Sequence, residues 1–107
     1  MPSPLGEKIR NRRTHLRMSL DQLAKLTDSS KGYLWELENR DKANPSADKL
    51  TRIATALGVT AEFLLVSTEA SPDEGVQDRA FFRKYQSLDA PAKAKIRKLL
   101  DLWDDET

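Results

Sequence analysis

The chain has 107 residues, no cysteine, and 18 Lys/Arg against 17 Asp/Glu, for a formal net charge of +1. Without cysteine there is neither a disulfide framework nor a thiolate metal site, and no run approaches the ~20 apolar residues of a membrane span. The start, MPSPLGEK, lacks the apolar core of a signal peptide, so the expected location is cytoplasmic, and the length suits one compact domain with an appendage.

Charge is distributed unevenly. Residues 1–66 hold 11 Lys/Arg against 8 Asp/Glu, whereas residues 67–107 hold 7 against 9. Five of the basic residues (Lys8, Arg10, Arg12, Arg13, Arg17) fall in or just after the first predicted helix, opposed by Glu7 alone. A basic helix of this kind is a candidate for phosphate contact, although a solvated helical face has the same composition.

In chain order, the pattern predicts an all-α first unit of five helices over residues 1–66. The first runs from about Pro4 to Leu16, with Leu5, Ile9 and Leu16 inward. Ser19 followed by Gln22 reads as a capping box, opening a second helix with Leu20, Leu23 and Ala24 on one stripe. Thr27-Asp28-Ser29-Ser30 bond their own backbone readily and mark a tight turn. Ser30 then caps a third helix, 31–39, with Leu34 and Leu37 inward and Lys31, Gly32, Tyr33, Trp35, Glu36 and Asn39 on the remaining face. Trp35 is expected to cover the first helix or the loop after the third, the alternative being that it flanks a nucleic-acid backbone. Pro45 stops what precedes it, Ser46 opens a fourth helix (Leu50, Ile53, Ala54, Leu57), and Gly58 suits its left-handed end. Thr60 caps a short fifth helix with Phe63 and Leu64 inward.

Residues 67–77, STEASPDEGVQ, have the composition of a linker. Two more helices follow in residues 78–107: one over about 78–87, and one after the Asp89 cap, where Pro91 is tolerated in the first turn. The segment carries Phe81, Phe82, Tyr85 and Leu88 on one helix and Ile96, Leu99, Leu100 and Trp103 on the other. Neither helix has enough chain to bury its apolar face, so these eight residues are expected to dimerise the protein as a helical hairpin; the alternative is that the hairpin folds back on the first unit.

Residues 19–40, two short helices about a polar turn, have the layout of a helix-turn-helix. With LGEKIRNRR before them and NPSADKLTRIATALGVT with FLL after, residues 5–66 resemble the lambda-repressor/Cro-like helix-turn-helix family of regulators. Leu20 stands where that family often has Gln, Asp28 and Ser29 stand where it usually has a glycine and an apolar residue, and the loop 40–44 is slightly longer. The resemblance implies an all-α repressor-like fold whose third helix reads double-stranded DNA. Mapped by motif, Lys31, Gly32, Tyr33 and Glu36 face bases: Lys31 can donate to guanine and Glu36 can accept from cytosine, unless Glu36 pairs with Arg40 instead. Ser19, Gln22, Ser30, Arg10, Asn39 and Arg40 complete the expected DNA-contact set. The family pattern also implies a structural ion pair between Arg13 and Glu38.

No enzyme is expected: there is no His or Cys pair for a metal, no Gly-rich phosphate loop and no nucleophile–base set. His15 reads as a surface residue, and no cofactor is expected. Two function classes remain: a sequence-specific regulator, most simply a homodimeric repressor on a palindromic operator, or a protein-interaction module, antitoxin-like, that keeps the fold to hold a protein partner. Leu20 and Asp28 favour the second; Lys31, Arg10 and Arg13 favour the first.

Overall fold

The computed structural model describes residues 2–41, 44–66 and 71–105. Seven helices account for these residues: α1 (Pro4–His15), α2 (Leu20–Thr27), α3 (Lys31–Asn39), α4 (Ala47–Leu57), α5 (Ala61–Val66), α6 (Glu74–Gln86) and α7 (Ala90–Asp105). The architecture is therefore all-α, and no helix among the described residues is long and apolar enough to cross a membrane.

Each helix opens on a short oxygen-bearing side chain that accepts a backbone N–H which the helix itself leaves unpaired. Ser3 takes the N–H of Gly6, Ser19 that of Gln22, Ser30 that of Tyr33 and Ser46 that of Lys49. Thr60 takes that of Phe63, Asp73 that of Val76 and Asp89 that of Ala92. The capping box at Ser19 is complete, because Gln22 Oε1 accepts the Ser19 N–H in return at 2.8 Å.

One core joins the first five helices. Ile9, Leu23, Leu34, Ile53, Leu57 and Leu64 are essentially sealed from solvent, with Leu5, Leu37, Leu50, Val59 and Phe63 around them. Leu20, at the position where the resembling family often carries a polar DNA contact, packs against this core instead. Two ends are left-handed. Gly58 closes α4 with φ 68°, a conformation that costs glycine nothing. Asp28 closes α2 with φ 53°, so it occupies the glycine position of the turn as one of the few other side-chain types that tolerate it.

The seventy-odd position differs from the sequence expectation. Residues 74–77, read as linker, are the first turn of α6. Asp73 caps that turn, Glu74 sits favourably at the positive end of the helix, and Val76 is buried in the core of the first unit. Arg83 also pairs with Glu62 at 2.8 Å. Among the described residues, α6 is thus held to the helix-turn-helix unit by the buried Val76 and by the Arg83–Glu62 pair.

Candidate nucleic-acid interface

The turn between α2 and α3 is fixed by internal bonds. Thr27, fully buried, donates its hydroxyl to the Leu23 carbonyl at 2.8 Å and meets Ser29 Oγ at 3.0 Å. Lys49 reaches across from α4 and donates to the carbonyls of Thr27 and Asp28 at 3.2 and 2.9 Å, while its ammonium lies 5.9 Å from the Tyr33 ring centre. Nothing in the local sequence marks Lys49 for this role, since the turn it closes lies more than twenty residues earlier.

On the opposite side, α3 is clamped to α1. Arg13 donates from Nε to Glu38 Oε2 at 2.7 Å and from Nη2 to Glu38 Oε1 at 2.9 Å, and its Nη1 donates to the Met18 carbonyl at 2.9 Å. The Glu38 side chain is 1% exposed and that of Arg13 13%. The bond to Glu38 raises the Arg13 pKa above its ordinary value, against burial, which lowers it. A bidentate fork fixes the angle between two helices as well as their distance. Gly6 is the other contact point, because a Cβ there would strike the Leu37 carbonyl oxygen.

Held this way, α3 presents Lys31, Gly32, Trp35, Glu36 and Arg40 to solvent, with Tyr33 and Asn39 half-buried. A side chain at Gly32 would meet nothing within 4 Å, so its backbone is open to close approach. Tyr33 packs partly against the core, which leaves its ring at the edge of the face. Trp35 is 50% exposed; the covering role expected of it is at most half filled. Asn39 donates to the carbonyl of Trp35 at 2.8 Å and so is turned back along its own helix.

Electrostatically the face is balanced by loose pairs. Lys31 lies 3.8 Å from Asp21, and Arg40 lies 3.7 Å from Glu36. Exposed pairs of this length contribute only ~0–1 kcal/mol, so either cation can turn to a phosphate at little cost. Ser19, Gln22 and Ser30 flank the face; their oxygens hold backbone N–H groups, leaving the two hydroxyl protons and the Gln22 amide N–H to donate outward.

The basic first helix divides. Lys8 donates to the Phe63 carbonyl at 3.0 Å and Arg12 to the Leu57 carbonyl at 2.9 Å, and Arg13 belongs to the clamp. Three of the five basic residues are thus engaged in the fold. Arg10 and Arg17 are exposed, and Arg17, at φ 56°, turns the chain from α1 towards α2. Lys42, expected with Arg40 to touch phosphate unless the loop is simply solvated, lies outside the described residues.

The hairpin residues also divide. Phe81, Phe82, Leu99, Leu100 and Trp103 are exposed, together with Leu102, whose place on this surface the apolar spacing did not flag. Tyr85, Leu88 and Ile96 are half-buried near the turn, with Lys93 and Arg97 each 5.7 Å from the Tyr85 ring centre. The exposed apolar surface therefore lies in two places, Phe81 and Phe82 on α6 and Leu99 to Trp103 at the far end of α7.

Comparison with known proteins bears on this geometry. A family model described as helix-turn-helix matches residues 9–64. Two uncharacterised HTH-type transcriptional regulators of Mycobacterium tuberculosis, from strains CDC 1551 and H37Rv, are each 44% identical over 61 residues. That stretch is 57% of this chain and 43% of each relative, so the chain matches less than half the length of those proteins. A chain from a SinR protein/SinI protein complex shares the fold with a TM-score of 0.57 and 23% identity, covering 96% of this chain and 99% of that one.

Proposed function

The chain belongs to the lambda-repressor/Cro-like helix-turn-helix family, and on that premise we propose that it is a sequence-specific DNA-binding transcriptional regulator, a cytoplasmic repressor acting as a homodimer on a palindromic operator. The observation that carries this reading is the segregation of α3 into a clamped face and an open one. The Arg13–Glu38 fork holds the helix from behind and Lys49 pins the turn that precedes it, while Lys31, Gly32, Tyr33 and Glu36 lie in its first two turns.

In this reading Lys31 and Glu36 read base edges. Arg10, Arg17 and Arg40, with the hydroxyls of Ser19 and Ser30 and the amide of Gln22, bind phosphates and set register without carrying sequence information. Two copies joined through the exposed end of the hairpin place two reading helices on successive turns of one duplex face, ~34–36 Å apart.

A mobility-shift titration against selected and random DNA tests the proposal. Three phosphate-binding cations per protomer amount to about six per dimer, so specific affinity should fall by ~10³ between 50 and 200 mM salt. Equal affinity for random and selected DNA, or no salt dependence, would defeat it. One observation favours a second reading, a module that holds a protein partner: the apolar end of α7, where Trp103 is 70% exposed. The solved neighbour is itself a component of a SinR protein/SinI protein complex.

A further inference from the structure

Helix α6 bridges the helix-turn-helix unit without lying flat on it. Val76 anchors its first turn in the core, and Arg83 anchors its later half to Glu62 at 2.8 Å. Beside the helix a groove of about 360 Å³ stays open, with Leu16 and Ala56 on one side, Ala80 and Phe81 on the other, and Thr55 and Gln77 also at its edge. Arg12 and Lys84 also line it, and no carboxylate does among the described residues.

Arg12 is the unusual member. Its Nε is held by the Leu57 carbonyl at 2.9 Å, which fixes the guanidinium plane. Neither terminal nitrogen has a hydrogen bond or ion pair among the described residues, and burial lowers the pKa with no acid beside it to oppose the shift. Arg12 and Lys84 thus place two positive charges along one partly apolar groove, with the terminal N–H groups of Arg12 open to an acceptor.

We propose that this groove binds a small organic carboxylate with an apolar body. The carboxylate meets the free edge of the Arg12 fork, the planar geometry that suits it best, with Lys84 as a second positive charge. The apolar body lies between Phe81 and Leu16. The volume is at the small end of ligand sites, which fits an aromatic or short aliphatic acid. An inorganic anion would leave the apolar walls unused. A bound acid ties α1 to α6 and so biases the direction in which α7 projects. Any resulting change in operator affinity rests on the DNA-binding reading; the binding itself does not.

The test is calorimetric titration of the full chain with benzoate, hexanoate, benzamide and inorganic phosphate, with side-chain NMR of Ala80 and Phe81. The expected result is saturable binding of benzoate or hexanoate at one site per protomer, with benzamide and phosphate weaker by about tenfold or more, because a charge-assisted fork and an apolar body are both required. Arg12→Gln and the exposed substitution Lys84→Gln should each weaken the carboxylate, and Ala80→Trp, which fills the groove, should abolish binding. Three outcomes overturn the proposal: no saturation below about 10 mM, phosphate binding as well as benzoate, or unchanged binding in Ala80→Trp. So does a groove closed to benzoate in the wild type and opened by Trp103→Asp, since it is then filled by the α7 end of a second copy.

Discussion

Substitution of Glu38 is the sharpest probe of how the reading helix is held. Glu38→Ala strands Arg13, which keeps its charge at any accessible pH and loses both bonds of the fork while remaining only 13% exposed. Arg13→Met leaves the opposite situation, a carboxylate that is 1% exposed with no partner. Removing one member of a buried pair costs ~3–5 kcal/mol, whereas replacing both by apolar groups of similar volume is often neutral or stabilising. The cost is large on the scale of the domain. At ~0.05–0.15 kcal/mol per residue, a unit of about sixty residues holds only ~3–9 kcal/mol in total. Each single variant should therefore be close to its unfolding midpoint at room temperature, and Arg13→Met/Glu38→Leu should recover most of the loss. Urea denaturation followed by far-UV circular dichroism measures all four corners of the cycle. Single-variant costs under ~1 kcal/mol, the range of an exposed pair, with additive effects in the double variant, would refute the clamp.

Four further outcomes are expected. Lys31→Ala and Glu36→Ala should change the preferred sequence in binding-site selection, each base contact discriminating by ~1–3 kcal/mol, whereas Arg10→Ala should weaken all sequences alike. Leu99→Asp and Trp103→Asp, on surface outside the core, should shift sedimentation from dimer to monomer and weaken operator binding; an unchanged dimer would remove the far end of α7 from the interface. Gly6→Ala, which drives a methyl onto the Leu37 carbonyl, should destabilise by ~1–3 kcal/mol and lower the thermal midpoint, and an unchanged midpoint would mean that α1 and α3 can separate freely. The Arg83 hydrogen bond, first among the causes, holds the Glu62 pKa below its ordinary value. The small stabilisation from this exposed pair is thus present above the ordinary carboxylate value and lost as pH falls through the lowered one. Amide signals of α6 should report release of this tether on acidification, and Glu62→Gln should make them insensitive to it.

The starts of α2 to α5 are legible because Ser19, Ser30, Ser46 and Thr60 each mark one, whereas Leu16, expected inward on α1, is 39% exposed just beyond the helix end at His15. A Ser or Thr before an apolar stripe needs no tertiary context to act as a cap, and Gly58 marks its own end. The position of α6 was less legible. Pro, Asp, Glu and Gly read locally as linker, and only the burial of Val76 in a core built by the five preceding helices turns Asp73-Glu74-Gly75 into a helical start. The site shows the same division. The outward turns of α3 follow from helical spacing, but charge alone does not say which of the five arginines and lysines on and just after α1 are engaged inside the fold. Lys8 and Arg12 end on carbonyls of α5 and α4, partners whose atoms have no residue-specific signature. Lys49 escapes for the same reason.

The separation of holding and reading residues on α3 has a consequence for redesign. Glu38, Leu34 and Leu37 are buried on the inner side of the nine-residue helix, while Lys31, Gly32, Trp35 and Glu36 lie exposed on the outer one. In the proposed DNA-binding reading, a randomised library at those four outer positions samples new operator preferences with little change in the fold's stability, because surface substitutions away from caps and cores mostly stay within ~0.5 kcal/mol. Tyr33 is the exception, since it belongs to both sides: its ring meets the core and the Lys49 ammonium as well as the edge of the reading face. Retargeted variants that keep Tyr33 should fold like the parent, and those that replace it should need a compensating change at Lys49.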